Sequence, residues 1–195
     1  GVHLILDEVM TGFGRTGTMF ACQQEEVIPD FLCLAKGLTG GYLPLAATLT
    51  TGRVFDAFLG GRERTLNYGH SYTANQLGCA AALASLRVFE EDRVLEKLPT
   101  RVEALAQGLR AITHSSVHEV RQCGLIAGLE LRLESGERFS GEQRMGERVC
   151  IAARAHGLLT RPIKDTIVMM PPLCSTEAEI AEACAALGRA VKEVG

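Results

Sequence analysis

The sequence lacks the features that mark several large classes of protein. It contains no Trp, and aromatic residues make up only 5% of it, so the core must be built from Leu, Val, Ile and Ala. No run of Lys and Arg exceeds two residues and the net charge is −3, which argues against the clustered basic surface of a nucleic-acid-binding protein. No apolar stretch approaches the roughly 20 residues that cross a bilayer. We therefore expect neither nucleic acid nor a membrane among the partners.

Close pairs of cysteines are also missing. The chain has seven cysteines, and no two lie within four residues of each other, whereas zinc sites use ligands a few residues apart. Several lie in apolar runs such as Phe31 to Leu34, where Cys acts as a small hydrophobic residue. This pattern predicts no metal site and favours a reducing, cytoplasmic setting.

The start of the chain lacks both an initiator Met and a targeting segment. Gly1 instead opens directly into an apolar run, His3 to Leu6, that reads as a buried strand. The length of 195 residues lies between one large domain and two small ones. We expect the chain to be part of a longer polypeptide.

Strands and helices alternate in the first half of the predicted structure. Short apolar runs predict strands at residues 3–6, 31–35 and 45–49. The first strand ends at Asp7 and the second at Lys36, as central parallel strands do when polar residues follow them. Spacing of apolar residues predicts helices at 75–90 and 93–112.

The second half has a different order of predicted elements, with strands at 117–121, 125–133 and 166–170. Helices are predicted at 141–156 and from a capping box that begins at Ser175. The predicted fold class is α/β, with a mostly parallel sheet followed by a small α+β part. We expect two domains, residues 1–105 and 106–195.

A glycine motif, Gly12 to Gly17, matches the GxGxxG pattern of dinucleotide-binding proteins. That pattern requires a helix to begin directly after the glycines, so that its N-terminus meets a pyrophosphate. The segment after Gly17 is a poor helix and soon reaches Pro29, and two acidic residues precede the motif. An ordinary glycine loop is therefore the better interpretation.

A lysine and an acid carry more specific chemistry. Asp7 and Lys36 each follow a predicted strand, and ligands of open α/β sheets bind beyond the carboxyl ends of the strands. A partly desolvated lysine can form a Schiff base with a carbonyl. Pyridoxal 5'-phosphate needs such a lysine for its aldehyde and a carboxylate for its ring nitrogen. The alternative is that Asp7 caps a turn and Lys36 is a solvated loop residue.

Three stretches of the first half form a longer signature: Asp7 to Gly17, Pro29–Asp30, and Ala35 to Gly41. Together they resemble the class III aminotransferases, which are pyridoxal-phosphate enzymes of fold type I. The resemblance continues through residues 69–75 and 161–162 and into the last helix. Because the glycine motif is an internal part of this signature, the dinucleotide interpretation is discarded.

The resemblance implies roles for five residues. Lys36 is expected to bind the pyridoxal aldehyde and to carry the proton during amino transfer. Asp7 is expected to pair with the ring nitrogen, and Val9 to lie against one face of the ring. Ser71 is expected to bind the cofactor phosphate of the neighbouring subunit, which implies a homodimer with shared active sites. Arg161, which the proline after it holds extended, is expected to bind the substrate carboxylate through its bidentate guanidinium.

Within the family, the sequence resembles the members that act in biotin biosynthesis, at Met10, residues 68–79 and residues 159–172. Those members transfer an amino group, from S-adenosylmethionine or lysine, to 8-amino-7-oxononanoate. The resemblance also implies that the phosphate-binding loop and a ring-stacking aromatic lie upstream of Gly1, so the chain alone is expected to be inactive. Two alternatives stay open: another class III enzyme that acts on an ω-amino acid or diamine, and an inactive fragment.

Overall fold

The computed structural model describes residues 1–194, which form two compact units. The first unit is Gly1–Leu95, and the second begins at Glu96. The assignment of residues 1–105 and 106–195 to a large cofactor domain and a small C-terminal domain stays a prediction. None of the helices in residues 1–194 combines the length and apolar character that a membrane-spanning segment requires.

The first unit contains a three-stranded sheet in the order β1-β2-β3. Its strands are β1 (Ile5–Asp7), β2 (Phe31–Leu34) and β3 (Ala47–Thr50). β1 and β2 are parallel, as the sequence predicts, but β3 is antiparallel to β2. The sheet is therefore mixed. The reason is that residues 35–46 contain only a short 3₁₀ helix, and without a crossover helix the chain returns in the opposite direction.

Two α-helices follow the sheet in the first unit, α1 (Gly52–Asp56) and α2 (Gln76–Glu91). Short 3₁₀ helices cover Ala21–Glu25, Lys36–Thr39 and Arg62–Arg64. The start of α2 is fixed by Asn75, whose side-chain oxygen accepts a hydrogen bond from the Gly78 N–H at 2.9 Å. This start agrees with the helix predicted at 75–90, whereas no predicted element corresponds to α1.

The core of the first unit lies between β2, α2 and the loop after β1. Along β2, Leu32 and Leu34 are buried while Phe31 and Cys33 are half-buried, the alternation of a strand with one face on the core. Phe13, Leu38 and Ala82 complete the buried cluster. The core thus packs the glycine loop directly against the end of β2.

The second unit packs helices on a four-stranded sheet. The helices are α3 (Val94–Arg110), whose first two residues still belong to the first unit, α4 (Met145–Ala155) and α5 (Glu177–Val194). The strands are β4 (Val117–Cys123), β5 (Ile126–Leu131), β6 (Arg161–Ile163) and β7 (Thr166–Met169). All pairings are antiparallel, in the order β4-β5-β7-β6. The predicted α+β character of this part is confirmed.

In the second unit, one predicted feature is confirmed and two others differ from the prediction. The capping box of α5 is present, because the Thr176 hydroxyl accepts from the Glu179 N–H at 3.2 Å and the Glu179 carboxylate accepts from the Thr176 N–H at 2.8 Å. α4 begins four residues later than expected, since Arg144 is left-handed with a φ of 45°. β6 was not predicted because it contains Pro162, which only an edge strand tolerates.

Candidate functional site

The carboxyl ends of β1 and β2 bring Asp7 and Lys36 to the same edge of the first sheet. The two strands are parallel, with Asp7 opposite Cys33, and Lys36 follows shortly after the end of β2. The Asp7 carboxylate accepts a hydrogen bond from the Val9 N–H at 3.0 Å. Both Asp7 and Lys36 are exposed, and the Lys36 amine has no hydrogen bond or ion pair within residues 1–194. An amine and a carboxylate are therefore available together at this edge.

The backbone at Lys36 adopts an uncommon conformation. Its φ is +43°, a region that few residues with a side chain occupy. The turn that follows is closed by a hydrogen bond from the Gly41 N–H to the Lys36 carbonyl at 3.3 Å. Gly40 and Gly41 have φ of +60° and +82°, which glycine adopts without strain. The surrounding turn must therefore hold the Lys36 backbone in this conformation.

Two neighbours hold the lysine turn in place. Phe13 packs so closely on Gly37 that a Cβ at Gly37 would lie 2.8 Å from the Phe13 Cβ. From the other side, the Ser85 hydroxyl of α2 donates to the Gly37 carbonyl at 3.3 Å. The position of Lys36 therefore depends on both the glycine loop and α2.

The glycine motif does not open an α-helix. Gly12 to Gly17 lies in a turn-rich loop, and the next element is the 3₁₀ helix Ala21–Glu25. The helix N-terminus that a pyrophosphate requires is therefore missing from this loop. The structure agrees with the interpretation of this motif as a loop.

Glu8 is a buried carboxylate at the base of this loop, and it is not among the predicted site residues. Only 3% of it is exposed, yet it accepts hydrogen bonds from the Ala21 N–H at 2.6 Å and the Cys22 N–H at 2.8 Å. Burial disfavours its charge, but these backbone hydrogen bonds outweigh burial and lower the pKa of Glu8. No local sequence signal identifies this role, because the Ala21 and Cys22 N–H groups lie far along the chain from Glu8.

An open cavity of about 1000 Å³ lies around Lys36 in the first unit. Its lining includes Thr39 and the segment that precedes α2, from which Tyr68, His70 and Tyr72 contribute. The Nδ1 atom of His70 accepts a hydrogen bond from the Tyr72 N–H at 3.1 Å. Ser71 lies in the same exposed turn but does not line the cavity of its own chain. Its hydroxyl makes no hydrogen bond within the described part of the chain.

Arg161 lies in the second unit, on β6, where it is exposed. It lines a cavity of about 550 Å³ whose other walls are mainly apolar, including Leu159, Met170 and Pro171. The Thr160 hydroxyl donates to the Val168 carbonyl and so ties this strand end to β7. Arg161 forms no ion pair with any carboxylate of residues 1–194. Its guanidinium is therefore available to an anionic group from outside the chain.

The residues at the sheet edge fit pyridoxal phosphate. The cofactor needs an amine for its aldehyde and a carboxylate for its ring nitrogen, and Lys36 and Asp7 present these groups without a competing ion pair in residues 1–194. The cavity at Lys36 is large enough for a small planar molecule. Within residues 1–194, no group of three His, Cys, Asp or Glu side chains is placed so that it could hold a metal ion.

Comparison with known proteins identifies the family of the chain. The family described as "Aminotransferase class-III" matches residues 1–191. An adenosylmethionine-8-amino-7-oxononanoate aminotransferase from Nitratidesulfovibrio vulgaris is 53% identical over 185 residues, which are 92% of this chain and 34% of that protein. The protein of the same name from Aquifex aeolicus is 50% identical over 98% of this chain and 43% of its own length. The chain thus spans less than half the length of these curated relatives.

Solved structures give the same result for the fold. The crystal structure of the enzyme of that name from Methanocaldococcus jannaschii has a TM-score of 0.94 and 46% identity, over 99% of this chain and 46% of that chain. An (S)-enantioselective omega-transaminase from Thermomicrobium roseum has a TM-score of 0.90 and 34% identity, over 100% of this chain and 44% of that chain. The expected fold, that of the pyridoxal-phosphate transaminases, is confirmed.

Proposed function

The chain belongs to the class III aminotransferase family, and on that premise we propose that it supplies the reactive lysine and the ring-nitrogen carboxylate of an aminotransferase. Enzymes of this family depend on pyridoxal 5'-phosphate. The observation that carries the proposal is the meeting of Asp7 and Lys36 at one edge of a parallel strand pair, each without an ion pair in residues 1–194.

Each residue has a distinct task in this proposal. When bound, pyridoxal phosphate supplies an aldehyde that takes up the amino group and a ring that withdraws electrons from the substrate. The Lys36 amine binds that aldehyde and later moves a proton at the reacting carbon. The Asp7 carboxylate keeps a proton on the ring nitrogen, and the Val9 side chain covers the ring and excludes water. Val9 is half-buried two residues after the end of β1, which supports this task.

Assembly and substrate binding extend the proposal. The exposed Ser71 hydroxyl, with no partner in residues 1–194, binds the cofactor phosphate of a second subunit in a cytoplasmic homodimer. Arg161 binds the carboxylate of the substrate through both of its terminal nitrogens. Residues 1–105 are then the C-terminal half of the large cofactor domain, and residues 106–195 the small C-terminal domain.

The substrate proposed is 8-amino-7-oxononanoate, with S-adenosylmethionine or lysine as the amino donor, in biotin biosynthesis. The names of the relatives above 50% identity support this choice. A second candidate is amino transfer from an ω-amino acid or amine, which the similarity to omega-transaminases supports. Growth of a biotin auxotroph that lacks this aminotransferase, with the gene that carries this chain, distinguishes the two. Rescue supports the first candidate, and failure of an expressed, folded protein to rescue contradicts it.

The low lysine content makes the reactive lysine easy to test. The sequence contains four lysines, Lys36, Lys97, Lys164 and Lys192, and all are exposed. We expect borohydride reduction with limiting pyridoxal phosphate, followed by peptide mapping, to label Lys36 in preference to the other three. A Lys36→Arg variant loses that label, while Lys97→Arg keeps it. Equal labelling of all four lysines in the folded protein would contradict the proposal.

A further inference from the structure

Glu8 is buried beside the site, and its side chain hydrogen-bonds to the segment around Ala21 and not to Asp7 or Lys36. We propose that Glu8 is a positioning residue that holds Asp7 and Val9 at the strand end and, through the loop 8–22, holds the turn that carries Lys36. The role of Glu8 in catalysis rests on the proposed function, whereas its contacts are observed in the chain itself. We call residues 8–22 the anchor loop.

The Glu8 side chain joins the two ends of the anchor loop. Its two oxygens accept from the N–H groups of Ala21 at 2.6 Å and Cys22 at 2.8 Å, and from the Thr11 hydroxyl at 3.1 Å. These hydrogen bonds satisfy the free N–H groups at the start of the 3₁₀ helix Ala21–Glu25. Hydrogen bonds to a charged acceptor are roughly twice as strong as neutral ones. The carboxylate therefore closes the loop at its base.

The Glu8 backbone is fixed as well. Its N–H donates to the Cys33 carbonyl of β2 at 2.9 Å, and its own carbonyl accepts from the Gly12 N–H at 3.0 Å. Asp7 and Val9 are its two chain neighbours, and they share the hydrogen bond between the Asp7 carboxylate and the Val9 N–H. Because Glu8 is fixed by both its side chain and its backbone, it sets the direction in which Asp7 and Val9 leave the strand.

The anchor loop reaches Lys36 through Phe13. This ring is 3% exposed and contacts Phe20 and Phe89 with centroid distances of 5.7 and 6.3 Å. It also covers Gly37, the residue next to Lys36. The loop that Glu8 closes thus packs against the lysine turn. The positions of Asp7 and Lys36 therefore both depend on this loop.

This role requires the ionised carboxylate, because each of its two oxygens accepts a hydrogen bond from a different backbone N–H group. The lowered pKa of Glu8 means that the carboxylate is ionised at neutral pH. Glutamine at this position has one oxygen and one NH₂ group. It therefore places a donor opposite either Ala21 or Cys22, and the loop opens on that side.

The test compares Glu8→Gln with Glu25→Gln, which removes the same charge from an exposed position of the 3₁₀ helix at the end of the loop. Thr11→Val and Thr11→Ser form a milder pair, since valine loses the hydroxyl that donates to Glu8 and serine keeps it. Two readouts are measured below the melting midpoint of each variant. One is hydrogen exchange of the Val9 amide without cofactor, and the other is the share of borohydride-reduced pyridoxal phosphate on Lys36 relative to the other lysines.

We expect Glu8→Gln to speed exchange at Val9 and to lower the Lys36 share, each by about tenfold, the effect of one lost charge-assisted hydrogen bond. Glu25→Gln and Thr11→Ser leave both readouts unchanged, and Thr11→Val moves both by about threefold. Folded Glu8→Gln with unchanged Val9 exchange and Lys36 share would overturn the inference. A wild-type chain that shows no preference for Lys36 would instead overturn the proposed function, and Val9 exchange would still decide the structural role of Glu8.

Discussion

Phe13 lies against Gly37 so closely that no side chain fits between the glycine loop and the lysine turn. An added Cβ at Gly37 would lie 2.8 Å from the Phe13 Cβ and 2.9 Å from its Cδ2. This contact links two segments that the sequence separates by the whole of β2 and the 3₁₀ helix before it. It also explains why a glycine follows Lys36 although its own φ is not left-handed.

Gly37→Ala is expected to destabilise the first unit by about 1–3 kcal/mol, because Phe13 must move within a packed core. Urea unfolding measures the loss. Gly52→Ala is the matched control, since a Cβ at Gly52 has no atom within 4 Å. If both variants unfold at the same urea concentration, the contact with Phe13 does not limit this position.

Gly146→Ala tests packing against helix propensity in the second unit. Alanine in a helix is favoured over glycine by about 1 kcal/mol, so propensity alone predicts that α4 becomes more stable. A Cβ at Gly146 would, however, overlap the Lys164 carbonyl oxygen and lie 3.0 Å from the Asp165 Cα. We expect a loss of about 2 kcal/mol or more, because backbone atoms cannot yield as side chains do.

The control for that change is Gly188→Ala, within α5. The nearest atom to a Cβ there is the Ile112 Cγ1 at 3.4 Å, an ordinary contact, so propensity should dominate and stability should stay equal or rise by up to about 1 kcal/mol. Thermal unfolding should therefore show a lower midpoint for Gly146→Ala and an equal or higher midpoint for Gly188→Ala. A rise for Gly146→Ala would show that the turn at Lys164 is not close to α4.

Asn75→Ala is expected to destabilise the first unit by about 1 kcal/mol through loss of the N-cap of α2. The lost interaction is the hydrogen bond from the Gly78 N–H to the Asn75 side chain at 2.9 Å. Asn75→Asp keeps an acceptor at this position and should retain wild-type stability. Chemical denaturation followed by circular dichroism gives both values, and equal losses in both variants would argue against capping.

Acid should weaken the second unit through Glu130. Hydrogen bonds from Arg121 at 2.7 Å and Arg132 at 2.9 Å lower the pKa of this carboxyl from 4.5 to about 2. The pKa of Glu130 is lower in the folded chain than in the unfolded chain. Ionised Glu130 therefore contributes stability above pH 4.5, and this contribution is lost as the pH falls towards 2.

The measurement is urea unfolding at neutral pH and at pH 3 for wild type and Glu130→Gln. The variant should lose stability at neutral pH and show a shallower decline towards pH 3. Glu142→Gln, at an exposed position, should follow the wild-type curve. Parallel curves for wild type and Glu130→Gln would contradict the assignment.

We expect the exposed cysteines to react with alkylating reagents before the buried ones. Burial raises the pKa of Cys150 and of Cys184 to about 11, and both side chains are buried, so neither forms the reactive thiolate at pH 8. Cys79, Cys123 and Cys174 are exposed and should be alkylated first by iodoacetamide. Peptide mapping before and after denaturation measures the difference, and early labelling of Cys184 would show that α5 separates from its neighbours.

The sequence could predict the sheet edge because its signals are local. Apolar runs that end in Asp7 and Lys36 mark strands with polar residues at their carboxyl ends. The expected burial holds for one face of β2, whereas β1 is largely exposed. Parallel pairing of the two strands then brings these ends together without any knowledge of side-chain packing. The capping box of α5 is equally local, and it too was confirmed.

Other features depend on contacts between distant segments, and for that reason the sequence could not reveal them. Glu8 receives its role from Ala21 and Cys22, and Gly37 from Phe13. β6 was missed because Pro162 argues against a strand until the position at the sheet edge is known. β3 turned out antiparallel because the chain before it lacks a crossover helix.

The sequence by itself thus determined which side chains follow the two strands, an amine and a carboxylate, and it determined the family, whose model matches residues 1–191. Only the tertiary structure decided what holds these groups in place. A buried carboxylate closes the anchor loop, and one aromatic ring packs that loop on the turn of Lys36. The reason is physical: residue chemistry is encoded position by position, whereas close packing and hydrogen bonding of buried groups depend on which distant segments the fold brings together.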